Sequence, residues 1–148
     1  MTEIESLYQE LIVDHSRQPH NFCVLENCDC KAQGHNPLCG DEVTIFLKMN
    51  GDLIKEITFQ GSGCAISKAS ASLMTESVKN LSRPAVEELF QKFHQMVMGE
   101  NGEHVDPSAL GKLAVFQGVS KFPVRVKCAT MAWHTLRAAL DSKPEVTL

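Results

Sequence analysis

No part of this 148-residue chain is a block rich in Lys or Arg, and the formal net charge is −4. That balance argues against nucleic acid or an anionic lipid surface as the main partner. The first residues, "MTEIESLYQELIVDHSRQ", carry acids early and contain no uninterrupted apolar run. They are expected to be neither a secretory leader nor a membrane span, which places the chain in the cytoplasm. Internal repeats and low-complexity tracts are also missing. What is present is 43% hydrophobic residues, enough for a single domain spanning 1–148 around one core. With no secretory leader expected, the six cysteines are read as reduced thiols, serving metal binding, reactivity or plain burial rather than a disulfide framework.

Hydrophobic spacing divides the chain into strands followed by helices. Ile4, Leu7, Tyr8, Leu11 and Ile12 recur at three- and four-residue intervals, predicting a helix over residues 3 to 17 that ends before Pro19. Val43, Ile45, Leu47 and Met49 alternate with polar residues, "NGD" turns, and Leu53, Ile57 and Phe59 alternate again, the pattern of a β-hairpin. A third strand is placed around residues 27 to 33. From Cys64 the pattern turns helical, with small residues suited to close packing and Ile66, Ala69 and Leu73 along one stripe. The next helix has Ser82 as N-cap, an early Pro, acids in its first turn and Gly99 as its stop. A short helix is expected near Pro107 to Val115, and a last helix from Pro123. The sum is an α+β fold: a small antiparallel sheet of about three strands covered by helices on one face.

Three cysteines sit at element boundaries: Cys39 in the turn "NPLCGDEV", Cys64 after "GSG", and Cys128 near the start of the last helix. A helix N-terminus presents free N–H groups and a positive dipole end, both of which favour thiolate. Gly61 and Gly63 let the chain bend just before Cys64. Taken singly, Cys64 and Cys128 read equally well as small buried hydrophobes. Asp41 shifts the balance, because three thiolates and one carboxylate make a complete four-coordinate set for Zn²⁺, although the spacing is not that of a zinc ribbon.

The segments "LYQELIVDHSRQPHN", "NPLCGDEV", "GSGCAISKASASLM" and "KFPVRVKCATMAW", in this order, resemble the U-type iron–sulfur cluster assembly proteins, and in particular the SufU-like branch. The resemblance implies the SufU/IscU-like fold and one metal site built from Cys39, Asp41, Cys64 and Cys128. It also implies binding of zinc and acceptance of persulfide sulfur from a SufS-type, PLP-dependent cysteine desulfurase, with downstream iron–sulfur assembly proteins as further partners. Cys39 would be the acceptor, since its loop beside Gly40 looks freer to move than the helix-borne thiols. Such a protein is a persulfide acceptor rather than a stand-alone enzyme.

Lys127 separates the branches. IscU-like scaffolds carry His directly before the last cysteine, and a protonated lysine has no lone pair to offer a metal. The segment between the helical block and Cys128, from about residue 98 to 122, is likewise a SufU-like addition. The competing reading is an IscU-like scaffold that builds a [2Fe–2S] cluster on the same cysteines. A cysteine hydrolase using Cys128 and a distant His has no supporting signature. Cys23, Cys28 and Cys30 form C-x4-C-x-C, which matches no metal spacing and falls outside the shared motifs; it reads as having no functional role, with a redox or second metal role as the alternative. His15, His20, His35, His94, His104 and His134 are not expected as resting ligands beside a complete set. Arg125 is either a solvated helix-start residue or a partner for Asp41.

Overall fold

The structure, a computed structural model, describes residues 3–99 and 107–148. In chain order it contains α1 (Glu3–Arg17), β1 (Cys30–Asn36), β2 (Asp41–Asn50), β3 (Leu53–Ser62), α2 (Ala65–Val78) and α3 (Arg83–Met98). A 3₁₀ segment (Pro107–Lys121), α4 (Pro123–Leu140) and β4 (Glu145–Thr147) follow.

Helix α1 has Glu3 and Glu5 in its first turn and Arg17 in its last, which matches the sign of the helix dipole at each end. The β2–β3 hairpin turns at Gly51, whose φ of 62° lies in the left-handed region that glycine enters without strain. Across it Val43, Ile45 and Leu47 stand opposite Gly61, Phe59 and Ile57, so the alternating apolar residues share one face. Strand β1 pairs antiparallel on the other side of β2, with Ala32 opposite Ile45 and Asn36 opposite Asp41. The third strand, expected around residues 27 to 33 despite a composition poor in strand formers, therefore exists but lies about three residues later.

The sheet differs from expectation in one further respect. A fourth strand, β4, lies parallel to β1, so the order is β3-β2-β1-β4 and the sheet is mixed rather than wholly antiparallel. A three-residue strand is too short to show an alternation. It forms because α4 returns the chain to the free edge of β1, where Gln33 N donates to Pro144 O at 2.9 Å and Leu148 N to His35 O at 3.0 Å.

Helices α2 and α4 cover the apolar face of the sheet. Gly34 makes the contact with α4 possible, since a Cβ there would overlap the Thr135 side chain. The small residues of α2 do the same between helices, with Ser70 Oγ reaching Ala129 O at 2.5 Å. Behind this layer Trp133 stacks on Phe93 at 4.7 Å between centroids, and Phe93 meets Phe116 edge-on at 5.9 Å.

Ser82 does cap α3, its Oγ accepting from Ala85 N at 3.3 Å, and Gly99 ends it with a φ of 63°. The acids expected in the first turn come one turn later. There Glu87 Oε1 accepts from Arg137 Nη2 of α4 at 2.6 Å, tying the two helices together. In place of a short helix ending at Val115, the 3₁₀ segment continues to Lys121 across a break at Gly111 (φ 56°, ψ −130°). Leu110, Leu113, Phe116 and Val119 are all buried along it. Their three-residue spacing is the period of a 3₁₀ helix and puts every one on the core side.

Candidate metal centre

Four elements meet at one end of the sheet. The turn joining β1 to β2 is closed by Asn36 O, which accepts from Cys39 N at 3.2 Å and Gly40 N at 2.9 Å. Gly40 takes a φ of 71°, which only glycine adopts readily. The buried Asn36 side chain completes the turn: its Oδ1 accepts from Leu38 N at 3.3 Å and its Nδ2 points at Cys39 Sγ at 3.5 Å. Asn36 is a site residue that the sequence reading passed over. Its signal was an Asn opening a Pro/Gly turn, where the side chain commonly bonds backbone two residues on.

Asp41 begins β2 and is 1% exposed. Its Oδ1 accepts from Cys64 N at 3.0 Å, and its Oδ2 lies 3.9 Å from Cys64 Sγ. Gly63 is needed for space rather than only for bending, because a Cβ there would lie 2.5 Å from Asp41 Oδ1. Cys64 is the N-cap of α2, with its Sγ accepting from Ser67 N at 3.4 Å. The thiol thus takes the place of the usual Ser or Asp cap and sits at the positive end of the helix dipole.

Cys128 is buried within α4, and its Sγ lies 3.6 Å from Cys39 Sγ. One donor atom each from Cys39, Asp41 and Cys128 falls within 4.8 Å of the others, and Cys64 joins them through Asp41. Burial pushes the Cys128 thiol strongly upward; its contact with Asp41, the neighbouring Cys64 and Cys39 push the same way. Crowding that disfavours charge is what a bound dication reverses. In type and number, three sulfurs and one carboxylate oxygen match the donors that Zn²⁺ takes.

Cys39 alone of the four is exposed. It borders a cleft of about 520 Å³ that Cys64, Cys128, Lys121, Phe122 and Arg125 also line. Phe122 and Val124, which line it, are exposed, as is Leu38 next to Cys39 in the chain, and they give the cleft an apolar border.

Arg125 lines this cleft, and the ion pairs among the described residues do not include one between it and Asp41. Lys127 is exposed on α4 beside Cys128. Cys23 is exposed, Cys28 and Cys30 are half-buried, and the three do not join any metal-holding group among the described residues. No described histidine enters the Cys/Asp group, and His104 lies outside the described residues.

Residues 7–129 match the family model described as the NifU-like N-terminal domain. The chain is 39% identical over 133 residues to the zinc-dependent sulfurtransferase SufU of Bacillus subtilis, spanning 90% of this chain and 88% of that protein. It is 37% identical over 140 residues to the iron–sulfur cluster assembly scaffold protein IscU of Streptococcus pyogenes, spanning 95% of this chain and 86% of the other. Among solved structures, an iron–sulfur cluster assembly scaffold protein for the SUF system from Fervidobacterium islandicum AW-1 superposes with a TM-score of 0.83. Its sequence identity is 34%, and the match covers 92% of this chain and 98% of that one.

Proposed function

The chain belongs to the NifU-like N-terminal domain family, and from that premise we propose that it accepts persulfide sulfur from a cysteine desulfurase for iron–sulfur cluster assembly. The observation that carries the reading is the exposed Cys39 thiol beside three less accessible donors, at a cleft with an apolar rim. A relative so similar over most of its length being named a zinc-dependent sulfurtransferase supports it.

In this reading Cys39, Asp41, Cys64 and Cys128 hold Zn²⁺, which as a Lewis acid keeps sulfur in the thiolate form at neutral pH. Asp41 and Cys64 are fixed by their mutual hydrogen bond and by the start of α2, and Cys128 by burial in α4. Cys39 is held by a turn, so it is the donor able to leave the group. Its thiolate attacks the outer sulfur of the partner's persulfide. The S–S bond of the partner breaks, a new S–S bond forms on Cys39, and the partner's cysteine departs as thiolate, with no external oxidant or reductant. Leu38, Phe122 and Val124 offer the apolar surface on which a PLP-dependent, SufS-type desulfurase would seat.

Mass spectrometry after brief reaction with desulfurase and cysteine tests this. One added sulfur is expected on the peptide containing "NPLCGDEV". Addition confined to Cys64, Cys128 or the Cys23–Cys30 stretch would remove Cys39 as acceptor.

The second reading, an IscU-like scaffold for a [2Fe–2S] cluster, draws on the same thiols and on the relative named as such a scaffold. Anaerobic reconstitution with iron and sulfide separates the two. A stable cluster passed on to an apo-protein would favour the scaffold.

A further inference from the structure

After α1 the chain folds back over α2, where His20 N donates to Ser72 Oγ at 2.8 Å and Asn21 Nδ2 to Thr75 Oγ1 at 3.0 Å. The same Ser72 Oγ lies 2.6 Å from Nδ1 of His15, which is buried. These bonds bring three side chains together. His20 Nδ1 contacts Glu76 Oε1, and the His15 and His20 rings lie 4.5 Å apart between centroids. One possible ligand atom from each of His15, His20 and Glu76 lies within 4.8 Å of the other two.

We propose that His15, His20 and Glu76 form a second metal site, for a late first-row dication such as Zn²⁺. Two imidazole nitrogens and a carboxylate oxygen are donors that zinc accepts, whereas Mg²⁺ and Ca²⁺ prefer all-oxygen shells. Three protein ligands leave a fourth position open. His15 and His20 line a cleft of about 620 Å³ that Asp14, Arg17 and Lys112 also border, through which water would reach that position. Ser72 supplies the outer support such sites use: its hydroxyl, 2.6 Å from His15 Nδ1, fixes the ring, and the tautomer with its hydrogen on Nδ1 leaves the Nε2 lone pair to the metal. Lys112 Nζ, 3.8 Å away, approaches Glu76 Oε2 and leaves Oε1 to the metal.

A simple histidine–carboxylate ion pair would not require a second, buried imidazole packed against the first, the two rings tilted by 43°. Nor is this an extension of the thiol group. Cys64 caps α2 and Glu76 lies twelve residues further on, about 18 Å along the helix axis at 1.5 Å per residue. A metal here would tie the end of α1 to α2.

Equilibrium dialysis of the full chain with Zn²⁺, comparing wild type with His20→Ala and Glu76→Gln, tests the proposal. Each variant is expected to bind about one ion per chain fewer. With Co²⁺ in place of zinc, the thiolate-to-metal charge-transfer band from the cysteine group is expected to be the same in all three proteins. The difference between proteins carries the result, so failure of the thiol site leaves the comparison intact. His20 is more than half exposed, so the metal-free melting temperature of His20→Ala should match wild type and separates ligand loss from misfolding. Unchanged zinc content in both variants overturns the proposal. So does a loss of zinc that takes the thiolate band with it.

Discussion

Asp41 is the residue on which the thiol site turns, because it is buried, accepts the Cys64 N–H and faces two sulfurs at once. Asp41→Ala is expected to weaken zinc binding in a calorimetric titration. It should also lower metal-free stability by about 1–3 kcal/mol, since the Cys64 N–H loses its acceptor. Unchanged affinity would take Asp41 out of the site. Gly63→Ala should act on the same carboxylate from the other side, because the added methyl would come within 2.5 Å of Asp41 Oδ1 and push it aside. A variant with reduced zinc affinity but every ligand intact would be the sign of it. Lys127→His places an imidazole beside Cys128 and is expected to raise cluster occupancy after anaerobic reconstitution. If it holds no more cluster than wild type, position 127 does not separate the two branches. At this scale the candidate ligand types were legible in the sequence. Asn36 was not, because its part depends on burial and on a turn that only the paired strands define.

At the scale of elements, α4 and β1 are held at a spacing set by Gly34. Gly34→Ala should cost about 1–3 kcal/mol by overpacking against Thr135. Most of that loss should return in the double variant with Thr135→Ala, since the clash is with that side chain; urea unfolding of the four proteins in a cycle measures the coupling. Additive losses would place the cost elsewhere. Removing residues 144–148 should lower the midpoint too, because the edge of β1 loses its bonds to Pro144 and Leu148. Long elements with a clean period were readable: α1, the hairpin, α3 and α4. β4 was not, since three residues have no period. The 3₁₀ segment carried a legible signal that was missed, the apolar spacing of three from Leu110 to Val119.

For the whole molecule, pH is the variable that reaches the helical layer. His134 on α4 packs edge-on against Phe90 at 5.1 Å, and burial, then His94 and Arg137, hold its pKa below 6.5. Below pH 6.5 the unfolded chain therefore binds a proton that the fold resists, so stability falls as pH drops from 6.5 toward the lowered value. Above 6.5 both states are neutral and the contribution is flat. Comparing urea midpoints at about pH 7.5 and 5.5, the drop should be smaller in His134→Gln than in wild type. It should not vanish, because His15 is shifted the same way, chiefly by burial. An identical drop in the two proteins would sink this account. No helix among the described residues is long and apolar enough to cross a membrane.

By itself the sequence determined the local matters: which stretches alternate and which repeat near every fourth residue, where Ser82 starts a helix and Gly99 stops it, and which residue types at Cys39, Asp41, Cys64 and Cys128 bear on metal chemistry. These rest on neighbours along the chain, whose spacing is fixed by covalent geometry. Tertiary structure decided the rest. It placed β4 beside β1, set Cys39 against Cys128 across 89 positions of sequence, and gathered His15, His20 and Glu76. Those distances depend on how helices pack on a sheet, through shape and burial summed over many residues, and a local pattern does not encode that sum.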